Sequence, residues 1–195
     1  MKKCKIILNT IQKKQNLCYY IHKNSRGTRL DMKKKNLTAQ VVAEYFLSKD
    51  PERKLFNKKI ATYNGRKFYE GNARLNKYLF LAQVVHLAKY EKKLFNDEFC
   101  AYDNGPVVET IMTSYGRLNG NSNLDIIDEE TKTFLDKIYL SLENATYDEL
   151  IEITHEDPEW QKLSDNTYNA PVMNIEKNIK EYKKRYRGLI EALKL

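Results

Sequence analysis

Paired cysteines and long apolar runs are both missing from this chain of 195 residues. Its three cysteines, Cys4, Cys18 and Cys100, lie far apart, show no zinc-binding spacing and are odd in number for a disulfide framework. The longest apolar runs, such as Leu79 to Ala82, fall well short of the roughly 20 residues that a membrane-spanning helix needs. Ile6-Ile7-Leu8 is too short for a signal-peptide core. We therefore predict a cytoplasmic protein without a transmembrane helix, in which Cys100 fills core space.

The motifs of common enzyme classes are also missing. His155-Glu156 begins a zinc-protease motif, but position 159 holds Glu instead of the second His, and Pro158 would end the helix. Gly116 and Gly120 lack the spacing of a phosphate-binding loop, and no Gly-x-Ser-x-Gly motif is present. We predict no enzyme, no cofactor and no metal site. A hydrolase built on His155 and the carboxylates beside it is an alternative.

Charge is present in abundance and is unevenly distributed. Residues 1–36 hold 11 Lys or Arg and one acid, whereas residues 37–195 hold 23 basic and 25 acidic residues. Residues 95–165 hold 17 acids against four basic residues, which disfavours phosphate binding there. We predict a mobile basic tail at 1–36 and one domain at 37–195. The tail is either an arm for nucleic acid or acidic partners, or a solvated extension or leader that precedes a start at Met32.

Hydrophobic periodicity predicts a mainly α-helical single domain with one β-hairpin. A short helix ends before Asp50-Pro51, and Asn64-Gly65 provides the turn of the hairpin. A central helix over 72–90 carries one apolar stripe, which includes His86 as a core residue. Further helices follow after Gly105-Pro106, around 134–142, after a capping box at 146–149, and after Pro171. The last helix is expected to carry five cations on its outer face: Lys180, Lys183, Lys184, Arg185 and Arg187.

Four segments resemble, in order, those of one protein family. They are Val42-Ala43-Glu44-Tyr45-Phe46-Leu47, Leu75 through Gln83, Leu94-Phe95 followed by Ala101 through Val107, and Leu150 through Trp160 with its Thr-His pair. This pattern is similar to the Panacea (SocA-like, phage-associated) domain of bacterial antitoxins, and it spans residues from about 37 to 165. Tyr102 stands where the family often has Trp, and the hairpin separates the first two helices more widely than in compact members.

The resemblance implies an antitoxin that neutralises a cognate protein toxin by direct binding, with adaptor activity towards a cytosolic ATP-dependent protease as an extension. The acidic half would suit a basic toxin. The signature residues either support the scaffold, with Pro106 setting the first turn of the next helix, or edge a partner-binding groove anchored by Tyr102, His155 and Trp160. The alternative function is a nucleic-acid-binding regulator that uses the basic tail and the C-terminal helix. The candidate partner-binding residues are Tyr102, Asp103, Asn104, Gly105, Pro106, Thr154, His155 and Trp160.

Overall fold

The computed structural model describes residues 37–63, 65–120 and 124–195, so the predicted tail at 1–36 lies outside the described residues. Within them the protein is mainly α-helical with two small antiparallel strand pairs, which confirms the predicted fold class. No helix among these residues has the length and apolar character needed to cross a bilayer. The helices are α1 (Ala39–Ser48), α2 (Glu70–Tyr90), α3 (Glu109–Ser114), α4 (Glu129–Leu142), α5 (Tyr147–His155), α6 (Pro158–Leu163) and α7 (Ile179–Ala192). The strands are β1 (Ile60–Tyr63), β2 (Arg66–Tyr69), β3 (Cys100–Tyr102) and β4 (Gly105–Val107).

Helix α2 is the centre of the fold. Helices α1, α3, α4, α5 and α7 and strand β4 all pack against it, and only a few of its side chains reach solvent. The predicted single apolar stripe therefore covers only part of the buried surface of α2. The helix is enclosed on most sides, and it buries polar residues as well: Asn72, Asn76, Lys77 and Gln83. His86, expected in the core, is only half-buried and contacts the rings of Tyr90 and Phe134.

The buried amides of α2 bond to the backbone of the following segments. Gln83 accepts hydrogen bonds from the Leu94 and Phe95 N–H groups and donates one to the Phe95 carbonyl. Asn76 Oδ1 accepts the Val108 N–H at 2.9 Å. Because an unpaired backbone N–H is costly inside a protein, these amides determine where the chain can run beside α2.

The first strand pair is the predicted hairpin, and the second was not predicted. Strands β3 and β4 are joined by Asp103-Asn104, and Val172 adds a bridge to Cys100 on the other side of β3. Pro106 lies in β4 opposite Ala101 and does not set a helical turn as expected, since α3 begins only at Glu109. The chain stays extended through Val108, whose N–H bonds to Asn76.

Local signals mark several helix ends. Thr146 and Glu149 form the predicted capping box of α5. Helix α5 ends at His155, and α6 starts three residues later at Pro158, with Asp157 as its N-cap. Cys100 is buried, as predicted. The α5–α6 junction thereby brings the segment from Leu150 to Trp160 next to the β3–β4 turn.

Candidate partner-binding site

Two of the family segments, Ala101 to Val107 and Leu150 to Trp160, are called the signature segments. They meet where the β3–β4 turn contacts the junction of α5 and α6. Trp160 donates a hydrogen bond from Nε1 to the Tyr102 carbonyl at 2.9 Å. The His155 ring stacks on the Trp160 indole, with centroids 3.9 Å apart and ring planes inclined by 9°. Tyr102, His155 and Trp160 therefore lie together in the fold, although 58 residues separate Tyr102 from Trp160.

Gly105 is the point of closest approach between the turn and α5. Its backbone has a φ of +95°, a conformation that residues with a Cβ rarely adopt. A Cβ at this position would lie 3.0 Å from Thr154 Oγ1 and 3.3 Å from His155 Cδ2. Thr154 is fully buried and donates its hydroxyl to the Leu150 and Ile151 carbonyls of its own helix. Glycine is thus required by the backbone conformation and by the space available.

Lys77 of α2 lies beneath this turn and is 1% exposed. Its Nζ would be 2.7 Å from a Cβ on Gly105, and it makes no hydrogen bond or ion pair with any other residue that the structure describes. Burial lowers the pKa of Lys77 to about 7, because an ammonium ion loses its hydration in the interior. Sequence reasoning noted Lys77 only as part of a family segment, since lysine is rarely buried and unpaired.

His155 shares this environment. Burial, and then the neighbouring Lys77, lower the pKa of His155 to about 4. Its Nε2 is buried and has no hydrogen-bond partner among the described residues. The imidazole is therefore neutral at physiological pH, and it presents a flat ring to Trp160.

Asp157 connects the site to α7, and sequence reasoning treated it only as one of a group of carboxylates. Its Oδ1 accepts hydrogen bonds from the Glu159 and Trp160 N–H groups, and its Oδ2 accepts the Tyr182 hydroxyl at 2.8 Å. Burial raises the pKa of Asp157, while these hydrogen bonds act in the opposite direction. The signal in the sequence was an Asp directly before a Pro, the usual start of a helix.

Neighbouring carboxylates bond to groups other than His155. Glu156 pairs with Arg185 at 2.9 Å, and Glu159 accepts hydrogen bonds from Lys162 and Asn178. No carboxylate among the described residues bonds to His155, so this geometry does not provide the acid–base pair of the hydrolase alternative.

Arg185 does not lie on the outer face of the last helix as expected. Its guanidinium donates to the Ile153 and Glu156 carbonyls at the end of α5, as well as to the Glu156 carboxylate. These carbonyls have no partner within α5, so an arginine stabilises them and interacts favourably with the helix dipole. Lys183, also predicted on that face, is exposed but paired with Glu91.

The outer edge of the turn contacts the segment that follows α6. Asp103 accepts a hydrogen bond from Thr167, and Tyr102 donates its hydroxyl to Glu109 at 2.7 Å. Beside Thr167, the Tyr168 side chain is 83% exposed, the largest exposure among the exposed large hydrophobic residues of the described chain. Sequence reasoning missed Tyr168, because nothing in its local pattern separates an exposed tyrosine from a buried one.

Comparison with known proteins agrees with the resemblance seen in the sequence. The family model for the antitoxin SocA-like, Panacea domain matches residues 75–161. No curated protein and no solved structure shows a match to the chain. The matched range contains most of α2 and both signature segments, and hence all eight predicted site residues. The predicted resemblance is confirmed over residues 75–161, which are similar to the antitoxin SocA-like, Panacea domain, while the first of the four segments, Val42 to Leu47, precedes the matched range.

Proposed function

We propose that the protein is an antitoxin that neutralises a cognate protein toxin by direct contact. The observation that carries this proposal is the family match over 75–161, together with the convergence of both signature segments of that range on one surface. A direct-binding role requires no catalytic chemistry of the chain. It requires an accessible surface with a few anchoring side chains.

We define the signature surface as Tyr102, Asp103, Asn104, Trp160 and Tyr168. These side chains are half-buried or exposed, and hydrogen bonds of the turn to Trp160 and Thr167 hold them together. Tyrosine and tryptophan bury a large area at a small cost in conformational entropy, and they are frequent in binding hot spots. Tyr168, which is 83% exposed, is the side chain that would gain most from being covered.

The buried members of the site support this surface from within. Gly105, Pro106 and Thr154 are buried, so a toxin could not reach them without displacing the turn. His155 is half-buried and is stacked on Trp160. We therefore assign contact with the toxin to the five residues of the signature surface, and assign the positioning of the turn and of Trp160 to the other four residues of the predicted site.

The charges near this surface support a basic toxin as the partner. Asp103 belongs to this surface and Glu109 accepts the Tyr102 hydroxyl. Glu159, Lys162 and Asp165 lie between Trp160 and Tyr168 or next to them in the sequence, so acids outnumber bases here. A basic toxin surface would be attracted to these residues and would associate faster at low ionic strength. If the protein also delivers the bound toxin to a cytosolic ATP-dependent protease, the same surface would hold the toxin, and no second toxin-binding surface is needed.

The proposal is tested by growth of cells that express the neighbouring open reading frame, with and without this protein. We expect toxicity that the wild-type chain relieves and that Tyr102→Ala/Tyr168→Ala does not. The matched control is Leu140→Ala, which shortens a hydrophobic side chain that is 49% exposed on α4. A double variant that is as abundant as wild type and still protects the cells would contradict the assigned surface. Unchanged toxicity with the wild-type chain would contradict the pairing itself.

A shorter toxin lifetime when the antitoxin is present would support the adaptor role.

The charges of α7 do not favour the regulator alternative. Among its five predicted outer cations, Arg185 is bonded to α5 and Lys183 to Glu91, which leaves fewer charges for phosphate groups. Residues 1–36 lie outside the described residues. Binding of nucleic acid through α7 therefore remains a second candidate without an observation in its favour.

A further inference from the structure

The β1–β2 hairpin is basic and lies outside the matched range. Residues 57–69 contain Lys58, Lys59, Arg66 and Lys67 and no acid, although residues 37–195 as a whole hold more acidic than basic residues. This local concentration of positive charge is the opposite of the acidic character of residues 95–165.

One face of the hairpin is largely open to solvent, and at its base the Tyr69 ring lies 5.9 Å from the ring of buried Tyr115. Ile60 pairs with Tyr69 and Thr62 with Lys67, and directly opposite residues at alternate positions share a face of a two-stranded ribbon. Ile60 is 60% exposed, Tyr69 is 38% exposed, and Thr62 and Lys67 are exposed. We call these four residues the ribbon face. On the opposite face, Ala61 and Phe68 are half-buried.

The base of the hairpin is attached to the body of the protein. The Glu70 N–H bonds to the Lys59 carbonyl at 2.8 Å, and the Gly71 N–H bonds to the Asn57 carbonyl. Lys58 Nζ donates to the Gly116 carbonyl at 3.0 Å. These hydrogen bonds hold the base of the ribbon at the start of α2 and at the segment that contains Gly116.

Two lysines of the hairpin are available for a partner. Lys59 and Lys67 are exposed, and neither forms an ion pair or a side-chain hydrogen bond with the residues that the structure describes. Exposed cations on a protruding ribbon can contact phosphates, while apolar and hydroxyl side chains between them can contact sugars and base edges.

We propose that the ribbon face binds double-stranded DNA, with Lys67 of that face and Lys59, which directly precedes Ile60, on the phosphate backbone. The major groove of B-DNA is wide enough to admit a two-stranded antiparallel ribbon, whereas that of an RNA duplex is too narrow. Ile60 and Thr62 then face the floor or wall of the groove. This function is separate from toxin binding, and it places the DNA contact on the hairpin and not on α7.

The test measures DNA binding by full-length protein. A fluorescein-labelled DNA duplex of about 20 base pairs, two helical turns, is titrated at several salt concentrations and followed by fluorescence anisotropy. Lys59→Glu/Lys67→Glu is compared with Lys180→Glu/Lys184→Glu on α7, which changes the net charge equally at exposed positions. Residues 1–36 are present in every protein, so their contribution is the same in all of them.

We expect the hairpin variant to bind more weakly and the slope of log K against log[salt] to fall by about 2, close to one per lost phosphate contact. The α7 variant should stay near wild type. No binding by the wild-type chain, equal losses in both variants, or a loss confined to the α7 variant would overturn the proposal. Circular dichroism confirms folding, and Lys59→Gln/Lys67→Gln should give a smaller loss in the same direction.

The toxin assay separates this inference from the proposed function. The hairpin variant should still protect cells from the toxin, because it leaves the signature surface unchanged. If it keeps DNA binding and loses protection, the ribbon face contacts an acidic protein surface instead of DNA, and the proposal is wrong.

Discussion

Replacing Lys77 by methionine should make this protein more stable at neutral pH, although the change removes a charged residue from the centre of the fold. The Lys77 ammonium is buried beneath Gly105 and has no hydrogen-bond partner among the described residues. Methionine has a similar length and carries no charge that loses hydration on folding. An apolar side chain of similar volume at a buried charged position is often neutral or stabilising.

The size of the expected stabilisation follows from the pKa of Lys77, which burial lowers from 10.5 to about 7. At about 1.4 kcal/mol per pKa unit, this corresponds to up to about 5 kcal/mol of destabilisation when the lysine is charged. Between pH 7 and pH 10.5 the unfolded chain holds a proton at Lys77 that the native protein does not hold. The free energy of unfolding therefore rises with pH between pH 7 and pH 10.5. Below pH 7 the buried lysine is charged and its full destabilising effect is present.

Urea denaturation of wild type and Lys77→Met measures this effect. The pH series should run from about 6 to about 9.5, below the ionisation of tyrosine in the unfolded chain near pH 10. The variant should be more stable by several kcal/mol at the acidic end, and the difference should shrink as the pH rises. Lys89→Met, at an exposed position of the same helix, should show no such trend. A Lys77 variant that is less stable at pH 6, or a difference that does not depend on pH, would refute this account of Lys77.

Three further predictions concern the same site. Gly105→Ala should lower the free energy of unfolding by roughly 1–3 kcal/mol, measured by urea denaturation, because its φ is +95° and a Cβ would contact Lys77. Asp157→Ala should lower the melting temperature, at a cost of about 2 kcal/mol or more, since it removes a helix cap and leaves the Tyr182 hydroxyl without its acceptor. The emission of Trp160, the sole tryptophan, should change with a midpoint near pH 4 as His155 is protonated. That midpoint should rise in Lys77→Met, and an unchanged midpoint would show that the two groups do not interact.

The sequence by itself predicted the features that depend on neighbouring residues. The helical periodicity before Asp50-Pro51, the Asn64-Gly65 turn and the Thr146–Glu149 capping box correspond to α1, the first hairpin and the start of α5. These signals act over a few residues, so tertiary contacts were not needed to recognise them. The order of the family segments was likewise visible, and it included both segments that meet beside the β3–β4 turn.

Tertiary structure decided everything that depends on residues far apart in the chain. Arg185 appeared to be a solvent-facing cation, but the unpaired carbonyls at the end of α5, 29 and 32 residues away, hold it inward. Pro106 looked like a helix start, yet the extended chain that follows it is bonded to Asn76 of α2. Periodicity gives the direction of a side chain relative to its own helix, and it does not show what lies opposite. For this reason the burial of Lys77 under Gly105 and the exposure of Tyr168 followed only from the packing of distant segments.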